Sequence, residues 1–451
     1  MKIAVIFHRL GPYHFARLRK AGGLLPITAI ETSGVDETYA WDTIGEAGGF
    51  ERVTLFENAD AHKQPAREVS RLMMAALDKI QPQIVVVPGW SDPAALAAVK
   101  WSTQNQVPTI VMSESTAWDE KRSAWREAVK RQIVGLGSAA LVGGTPHRDY
   151  MVKMGMPAER IFLGYDAVDN GYFKEKAEKL KTEILKSEGG SQKTDDSTLP
   201  SAIRHLPSSP FFLASARFVE KKNLPRLLQA FALYRKKAET LPGEAAKQTL
   251  HGPRKAGDTS TRSSPQGGEG VVPWDLVLLG DGPLRETLNA QLSTLNLQAH
   301  VQMPGFKQYP DLPAYYAHAG AFIHASTTEQ WGLVVNEAMA GGLPVLVSNR
   351  CGCAQDLVQE GVNGFTFDPY NVEQLADLML RVAGMERGGG ATETPKHRLA
   401  KMGAASQRII SAWGPERFAL GLKSAVEMAM EVGPKRATLL QRTILKILLN
   451  R

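Results

Sequence analysis

Residues Ser326–Val347 read STTEQWGLVVNEAMAGGLPVLV, and their pattern decides the fold. An apolar run, Ala321–His324, comes just before and has the character of a buried strand. A polar loop, Ser326–Gln330, follows. Gly332–Ala340 then reads as a short helix with Leu333, Val334, Ala338 and Met339 at its apolar positions. Gly341 and Gly342 stop that helix, and Pro344 opens a second strand, Val345–Ser348. Strand, loop, helix and strand in this order form the unit of a parallel sheet.

Two carboxylates bracket the unit. Glu329 lies in the loop, and Glu337 follows inside the helix after seven intervening residues. A helix N-terminus entered through Gly332 offers backbone N–H groups and a positive dipole end to an anion, here the amides of Gly332, Leu333 and Val334. A carboxylate in the loop can hold sugar hydroxyls, and one on the inward face of the helix can accept both hydroxyls of a ribose. Together these suit a sugar joined to a nucleotide through a diphosphate. Taken alone, two glutamates at this spacing read as a loop carboxylate and a solvated helix residue; their surroundings reverse that reading.

The glutamate pair followed by Ala338-Met339-Ala340, Gly342, Pro344 and Val345 resembles the signature of the retaining nucleotide-sugar glycosyltransferases of the GT-B fold, the family 4-like "glycosyl transferases group 1". That fold has two Rossmann-like parallel-sheet domains facing a deep cleft. The resemblance covers most of the chain and is strongest from Arg217 to Phe367.

Working outward from the stretch, Phe211–Ala214 reads as the first strand of a second domain, followed by Arg217, Lys222 and a helix from Leu224 to about Arg235. Arginine offers a planar fork and lysine a compact charge, and both suit phosphate oxygens. The spacing puts them at the carboxyl edge of the sheet. The bland alternative is a pair of exposed cations. The resemblance implies that Arg217 and Lys222 neutralise the departing diphosphate, that Glu329 orients the donor sugar, and that Glu337 holds the ribose. Relatives often carry glycine after the lysine; Asn223 stands there, and both residues cap helices. Gly282 serves a strand-to-helix turn that lets backbone approach the nucleotide, and Gly305 with Phe306 lies where the base is expected.

The first domain shows the same alternation. Strand-like runs fall at residues 2–7, 27–30, 53–56, 84–87, 109–112 and 139–142, with helical stretches at 65–80, 93–104 and 121–135. Ligands of such a sheet bind at the carboxyl ends of its strands. Acceptor-side candidates are therefore Gly11 and His14 after the first strand, and Glu114 and Asp119 in the loop Ser113–Arg122. His8 and Arg9 share the first loop. That loop has a single glycine, fewer than in most relatives. Gly135-Leu136-Gly137-Ser138-Ala139-Ala140 matches a dinucleotide-binding pattern, but it follows a helix and opens a strand, the reverse of the order required.

A length of 451 residues predicts two domains. Their expected extents are 1–173 for the acceptor-binding domain and 211–412 for the nucleotide-sugar domain. A flexible linker is expected over 174–210, with a low-complexity insertion at 243–270, a further soft loop at 384–396, and a crossover helix and basic tail over 413–451. No apolar run is long enough to span a bilayer. The opening MKIAVIFHRLGPYH begins a strand rather than a signal peptide, so a cytoplasmic protein is expected, with peripheral attachment to the inner membrane face open to it. Cys351 and Cys353, the two cysteines, form neither a disulfide framework nor a plausible zinc site; no metal and no cofactor is expected. The net charge of +7 comes without any nucleic-acid-binding module, which leaves a membrane surface or phosphorylated ligands as partners. In the tail, Pro434–Arg451, Leu440, Ile444, Ile447 and Leu448 make an apolar stripe beside Lys435, Arg436, Arg442, Lys446 and Arg451. Such a helix suits an anionic membrane interface or packing on the first domain, and the sequence leaves both open.

The implied activity is sugar transfer from a nucleotide diphosphate to a hydroxyl of a sugar or lipid-linked acceptor, with retention at the anomeric carbon, in polysaccharide, lipopolysaccharide or glycolipid assembly. The rival readings are an epimerase or hydrolase of nucleotide sugars on the same fold, and an inactive binding protein.

Overall fold

The computed structural model describes residues 1–35, 48–189, 206–207, 210–240, 273–384 and 394–450. Seven strands build the first sheet: β1 (Ile3–Phe7), β2 (Ile27–Ser33), β3 (Glu51–Phe56), β4 (Ile84–Pro88), β5 (Thr109–Ser113), β6 (Ala139–Val142) and β7 (Ile161–Leu163). They run in the order β3-β2-β1-β4-β5-β6-β7 with all pairings parallel. The second sheet contains β8 (Phe211–Ser215), β9 (Asp275–Leu279), β10 (Val301–Gly305), β11 (Ala321–His324), β12 (Val345–Ser348) and β13 (Gly364–Phe367). Its order is β10-β9-β8-β11-β12-β13, again parallel throughout. Helices cover both faces of each sheet. This is why most central strands are largely apolar: β1, β5, β6, β11 and β12 are buried along their whole length.

Strand order reverses between β1 and β4 in the first sheet and between β8 and β11 in the second. In open α/β sheets a crevice forms outside the carboxyl ends at such a point. The loops leaving β4, β8 and β11 carry Trp90, Arg217 and Glu329, and Tyr13 lies in the first turn of the helix that follows β1, which places them around the cleft before any side chain is considered.

Two expected boundaries move. The linker at 174–210 is a helix for its first part: Asn170–Gly189 is helical and packs on the helices Leu312–His318 and Leu333–Ala340 of the second domain. Composition misled there, because the charged stretch still carries Phe173, Ala177, Leu180 and Lys181 on one face at helical spacing. Phe173 and Ala177 are buried, and Lys181 Nζ donates to the Gly341 carbonyl at 2.8 Å. Phe173 and Val168 belong to the second domain's core, so that core begins before residue 173. The soft loop expected up to residue 396 gives way at Pro395 to a helix, Pro395–Ile410, capped by Thr394, whose hydroxyl accepts from His397 N at 3.3 Å. The rest of the linker (190–205 and 208–209), the insertion at 243–270 and the segment 385–393 lie outside the described residues.

The helix Pro415–Val432 lies on the first sheet, where Phe418, Leu422, Ala425 and Val426 join the core of β1, β4 and β5. The tail forms a further helix, Leu439–Leu449, packed on the first domain through Leu445 and Leu449, with Ile444 and Leu448 half-buried. The stripe read from the sequence therefore straddles two faces. Its Leu440 and Ile447 are exposed together with Leu439, while the buried face runs through Leu445 and Leu449. Among the described residues no helix is long and apolar enough to cross a membrane.

Candidate functional site

The second-domain wall starts at the end of β8. Arg217 is exposed at the cleft edge, two residues beyond the strand. The neighbouring turn after β9 needs its glycines. A Cβ on Gly280 would stand 1.9 Å from the Ala216 carbonyl oxygen, and one on Gly282 2.8 Å from that of Phe218, both at positive φ. Gly282 thus permits the close approach of two backbones. Asn223 adopts the left-handed conformation at φ 59°, which glycine or asparagine tolerates. Its side chain does not cap the following helix. The amide instead donates to the carbonyls of Ala325 at 3.1 Å and Pro369 at 2.7 Å, tying the arginine–lysine loop to the end of β11.

That tie brings Lys222 against Glu329. Lys222 Nζ donates to Glu329 Oε2 in a close ion pair. The same oxygen lies 3.4 Å from His324 Nε2 and accepts from Ser326 Oγ at 3.3 Å. Burial opposes the charge on Glu329, but the hydrogen bond with His324 and the positive charge of Lys222 outweigh it and hold the carboxyl well below the usual range. The loop itself is pinned, with Glu329 N donating to the Arg350 carbonyl and Gly352 N to the Glu329 carbonyl, both at 3.1 Å.

Gly332 opens the helix Leu333–Ala340 at φ 104° with no side-chain cap. A Cβ there would meet His324 Nε2 at 3.3 Å in a backbone conformation that side chains resist. Leu333 and Val334 are half-buried at its first turn. Glu337 is fully buried. Tyr316 Oη donates to its Oε2 at 2.6 Å, and Tyr13 Oη, from the first domain, donates to Oε1 in a close contact. Burial pushes this carboxyl up to about 7, against the two tyrosine hydrogen bonds that favour its ionised form. Tyr13, Tyr172, Phe173 and Tyr309 form an aromatic cluster around it, with Tyr172 and Tyr309 stacked at 5.0 Å. Gly305 ends β10 and accepts from Gly280 N at 3.0 Å, and Phe306 beyond it is exposed.

The first-domain wall differs more from the sequence reading. Gly11 is the N-cap of the helix Pro12–Gly22 at an ordinary φ of −85°. The loop is held instead by Glu31, a buried carboxylate that accepts from Leu10 N at 3.0 Å, Arg52 at 2.8 Å and Thr54 at 2.6 Å. His14 packs on Phe7, and burial followed by the Arg17 charge brings its imidazole down to about 3. His8 lies 3.5 Å from Asp60 and stacks on His62. Glu114 neighbours Asp166, a carboxyl raised well above its usual range by burial and by the Glu114 charge. Asp119 pairs with Arg122 and accepts from Thr116 N at 3.2 Å; it shapes its own loop and also lines the cleft.

Sequence reasoning missed Tyr13, His147 and Asp356. His147 follows β6 in the run Gly143-Gly144-Thr145-Pro146-His147, a strand-to-helix turn whose polar residues were the available signal. Gly144 N donates to its Nδ1 at 3.1 Å. Its Nε2 therefore carries the proton and donates to the Gln330 carbonyl across the cleft at 2.9 Å. Burial lowers the pKa of this imidazole. Thr145 N and Oγ1 donate to Asp356 at 2.8 and 2.6 Å. Trp118 Nε1 donates to the Arg350 carbonyl at 3.3 Å. These bonds and Tyr13–Glu337 hold the two domains closed around a cavity of about 770 Å³ beside Glu329.

Residues 269–393 match the family model described as Glycosyl transferases group 1. The matched stretch lies in the second domain. It takes in β9 to β13, with Glu329, Gly332 and Glu337 inside it; Arg217 and Lys222 lie outside it, after β8. The chain is 30% identical over 167 residues to the GDP-mannose-dependent alpha-(1-6)-phosphatidylinositol monomannoside mannosyltransferase of Mycobacterium tuberculosis, a match covering 36% of this chain and 40% of that protein. The chain thus matches less than half the length of this curated relative. Anabaena Alr3699/HepE, solved in complex with UDP, superposes with a TM-score of 0.63 over 95% of this chain and 100% of its own, at 16% identity. The sucrose-phosphate synthase of Thermosynechococcus elongatus gives 0.64 over 95% and 99%, at 15% identity. The fold is GT-B.

Proposed function

We propose that this protein is a retaining glycosyltransferase that moves a sugar from a nucleotide diphosphate to a hydroxyl of an acceptor bound on the first domain, without a metal ion or other cofactor. The observation that carries the reading is the Lys222–Glu329–His324 cluster beside the uncapped N-terminus at Gly332. Positive groups fixed where the diphosphate leaves stabilise developing charge without reorganising. Arg217 and Lys222 take this role, and the amides at Leu333 and Val334 add to it. Glu329, ionised by its neighbours, is an acceptor for donor-sugar hydroxyls. Glu337 accepts the ribose hydroxyls in place of Tyr13 and Tyr316. His147 keeps its proton on the nitrogen that faces the second domain.

The relatives' names and the UDP held by one fold neighbour support the donor class. A lipid-borne or saccharide acceptor at an anionic membrane is supported by the tail, which exposes Leu439, Leu440 and Ile447 beside Arg436, Arg442 and Lys446. The testing experiment is a thermal-shift panel of UDP-, GDP- and ADP-sugars. A ligand at a hundred times its dissociation constant adds about 2.7 kcal/mol. One base should stand out and its sugar should appear in a new product only when acceptor is present. A flat panel, or donor consumption at full rate without acceptor, overturns the reading.

A further inference from the structure

We infer that His8, Asp60 and His62 of the first domain hold a transition-metal ion of the zinc class, with Thr32 and Asp92 behind them. The three residues meet at the carboxyl edge of the first sheet but come from different segments. His8 follows β1 directly, and Asp60 and His62 belong to the segment after β3. One ligand atom from each lies within 4.8 Å of the other two. His8 Nε2 is 3.5 Å and His62 Nδ1 3.8 Å from the same oxygen, Oδ1 of Asp60. Ligand atoms at about 2.0–2.1 Å from a tetrahedral ion stand about 3.4 Å from one another, so a small shift closes the set. Two imidazole nitrogens with one carboxylate oxygen select zinc, nickel or copper over magnesium and calcium, which take oxygen ligands.

The hydrogen bonds behind these groups turn their lone pairs inward. Thr32 Oγ1 donates to the His8 carbonyl at 3.1 Å, which leaves it to accept from His8 Nδ1 at 3.2 Å. The proton then sits on Nδ1, and the Nε2 lone pair faces the Asp60 carboxylate. His62 is held from its other side, with Nε2 3.5 Å from Asp92 Oδ2. Asp92 is fixed by accepting from the amides of Ala94 and Ala95 at 2.8 and 3.2 Å. The His62 lone pair is then on Nδ1, toward Asp60. Asp60 Oδ1 also accepts from His62 N at 2.8 Å, which fixes the carboxylate. Each imidazole thus has a partner on its outer nitrogen, the arrangement that sets tautomer and ring direction in metal sites. Lone pairs aimed at one carboxylate oxygen repel it unless a cation lies between. Two protons could fill that place, but the rings stack at 3.8 Å with 11° between their planes, and stacked imidazolium ions repel each other. One divalent ion meets all three donors at once. Binding requires the His62 ring to tilt out of the stack, because a ligand ring holds the ion in its own plane. That side chain is 59% exposed and has room to turn.

The ion joins the segments leaving β1 and β3 and, through Asp92, the one leaving β4. Ser91 and Pro93, on either side of Asp92, line the cavity beside Glu329, as does Ala66. The ion therefore stiffens the first-domain wall of the cleft from behind and takes no part in the departure of a diphosphate.

The test uses the full chain without an affinity tag, freed of metal by a chelator and titrated with cobalt(II) and then zinc. One cobalt ion per chain should bind with the intense visible absorption of a tetrahedral site, and zinc should displace it and raise the melting temperature. His62→Ala, at an exposed position that leaves the fold intact, should weaken binding by about a hundredfold or more, and Asp92→Asn, which keeps the helix cap, by about tenfold, since loss of a partner behind a ligand costs roughly 10–100-fold. The zinc-dependent shift should vanish in His62→Ala. No uptake, uptake indifferent to His62→Ala, displacement of cobalt by magnesium or calcium, or a thiolate charge-transfer band tracing the cobalt to Cys351 or Cys353 overturns the inference. The readout needs neither donor nor acceptor, so its failure leaves the proposed transfer standing, and failure of the transfer reading leaves the metal site standing.

Discussion

Glu337 makes the stability of the closed protein depend on pH in a direction opposite to most carboxylates. Its carboxyl is raised by burial to about 7 from an ordinary value of 4.5. A group with a raised folded-state pKa contributes stability that is fully present below the unfolded value and is lost as pH rises through the folded one. Each pKa unit corresponds to 1.36 kcal/mol. Integrating over the two titrations between pH 5 and pH 8 gives a loss of about 2.5 kcal/mol. For domains of this size that is roughly 5–10 °C in melting temperature. Glu337→Gln keeps the shape and can still bond both tyrosine hydroxyls, but it does not titrate. The difference in melting temperature between the natural protein and Glu337→Gln, measured at pH 5 and again at pH 8 in one ionic strength, isolates this group. The natural protein should lose that margin on going to pH 8. A difference that stays constant across the range would show that Glu337 is ionised throughout in the folded protein, and the account of its burial by Tyr13 and Tyr316 would be wrong.

Arg217→Ala and Lys222→Ala should each lower turnover by roughly a hundredfold, the scale for removing one charge partner of a transition state. Arg217 is exposed and its loss should leave the melting temperature near normal. Lys222→Ala should also destabilise, because it strands the buried Glu329 charge; near-normal turnover in both variants would remove their proposed role. For the tail, deletion is a poor test because Leu445 and Leu449 are core residues. Replacing exposed Arg436, Arg442 and Lys446 with serine should instead weaken attachment to phosphatidylglycerol vesicles by about a hundredfold, at about 1 kcal/mol per charge, while unchanged binding, or no binding by the natural protein, would count against attachment.

The fold was legible because its signal is local. Continuous apolar runs such as Ile84–Val87 and Ala321–His324, with helices between them, admit little besides a parallel sheet. The decoy at Gly135–Ala140 was rejected on element order alone, and in the structure it joins the helix Ala124–Val134 to β6. The polar helix Asn170–Gly189 was lost because charge dominates its composition, while Tyr172, Phe173, Ala177 and Lys181 carry packing contacts among its described side chains. The tail's buried face was misdrawn for a related reason: Leu439 to Leu449 is so rich in leucine and isoleucine that several stripes fit, and only the first domain chooses among them.

The position of one cleft wall was legible in the sequence. Arg217, Lys222 and Glu329 sit on segments leaving β8 and β11, and Glu337 on the helix that follows, so their place near the cleft follows from strand order and chain connectivity. The opposing wall depends on side chains separated by hundreds of residues, and no spacing announces that Tyr13 will donate to Glu337 or Thr145 to Asp356. The Tyr13 contact also bears on how the protein works. Under the proposed role, a ribose offers two hydroxyl donors where two tyrosine hydroxyls now stand, so the exchange conserves the hydrogen bonds to a buried carboxylate and need cost little. One of the displaced donors belongs to the other domain. On that proposal a ribose at Glu337 would release the Tyr13 tie between the domains, while the His147–Gln330 and Thr145–Asp356 contacts would remain.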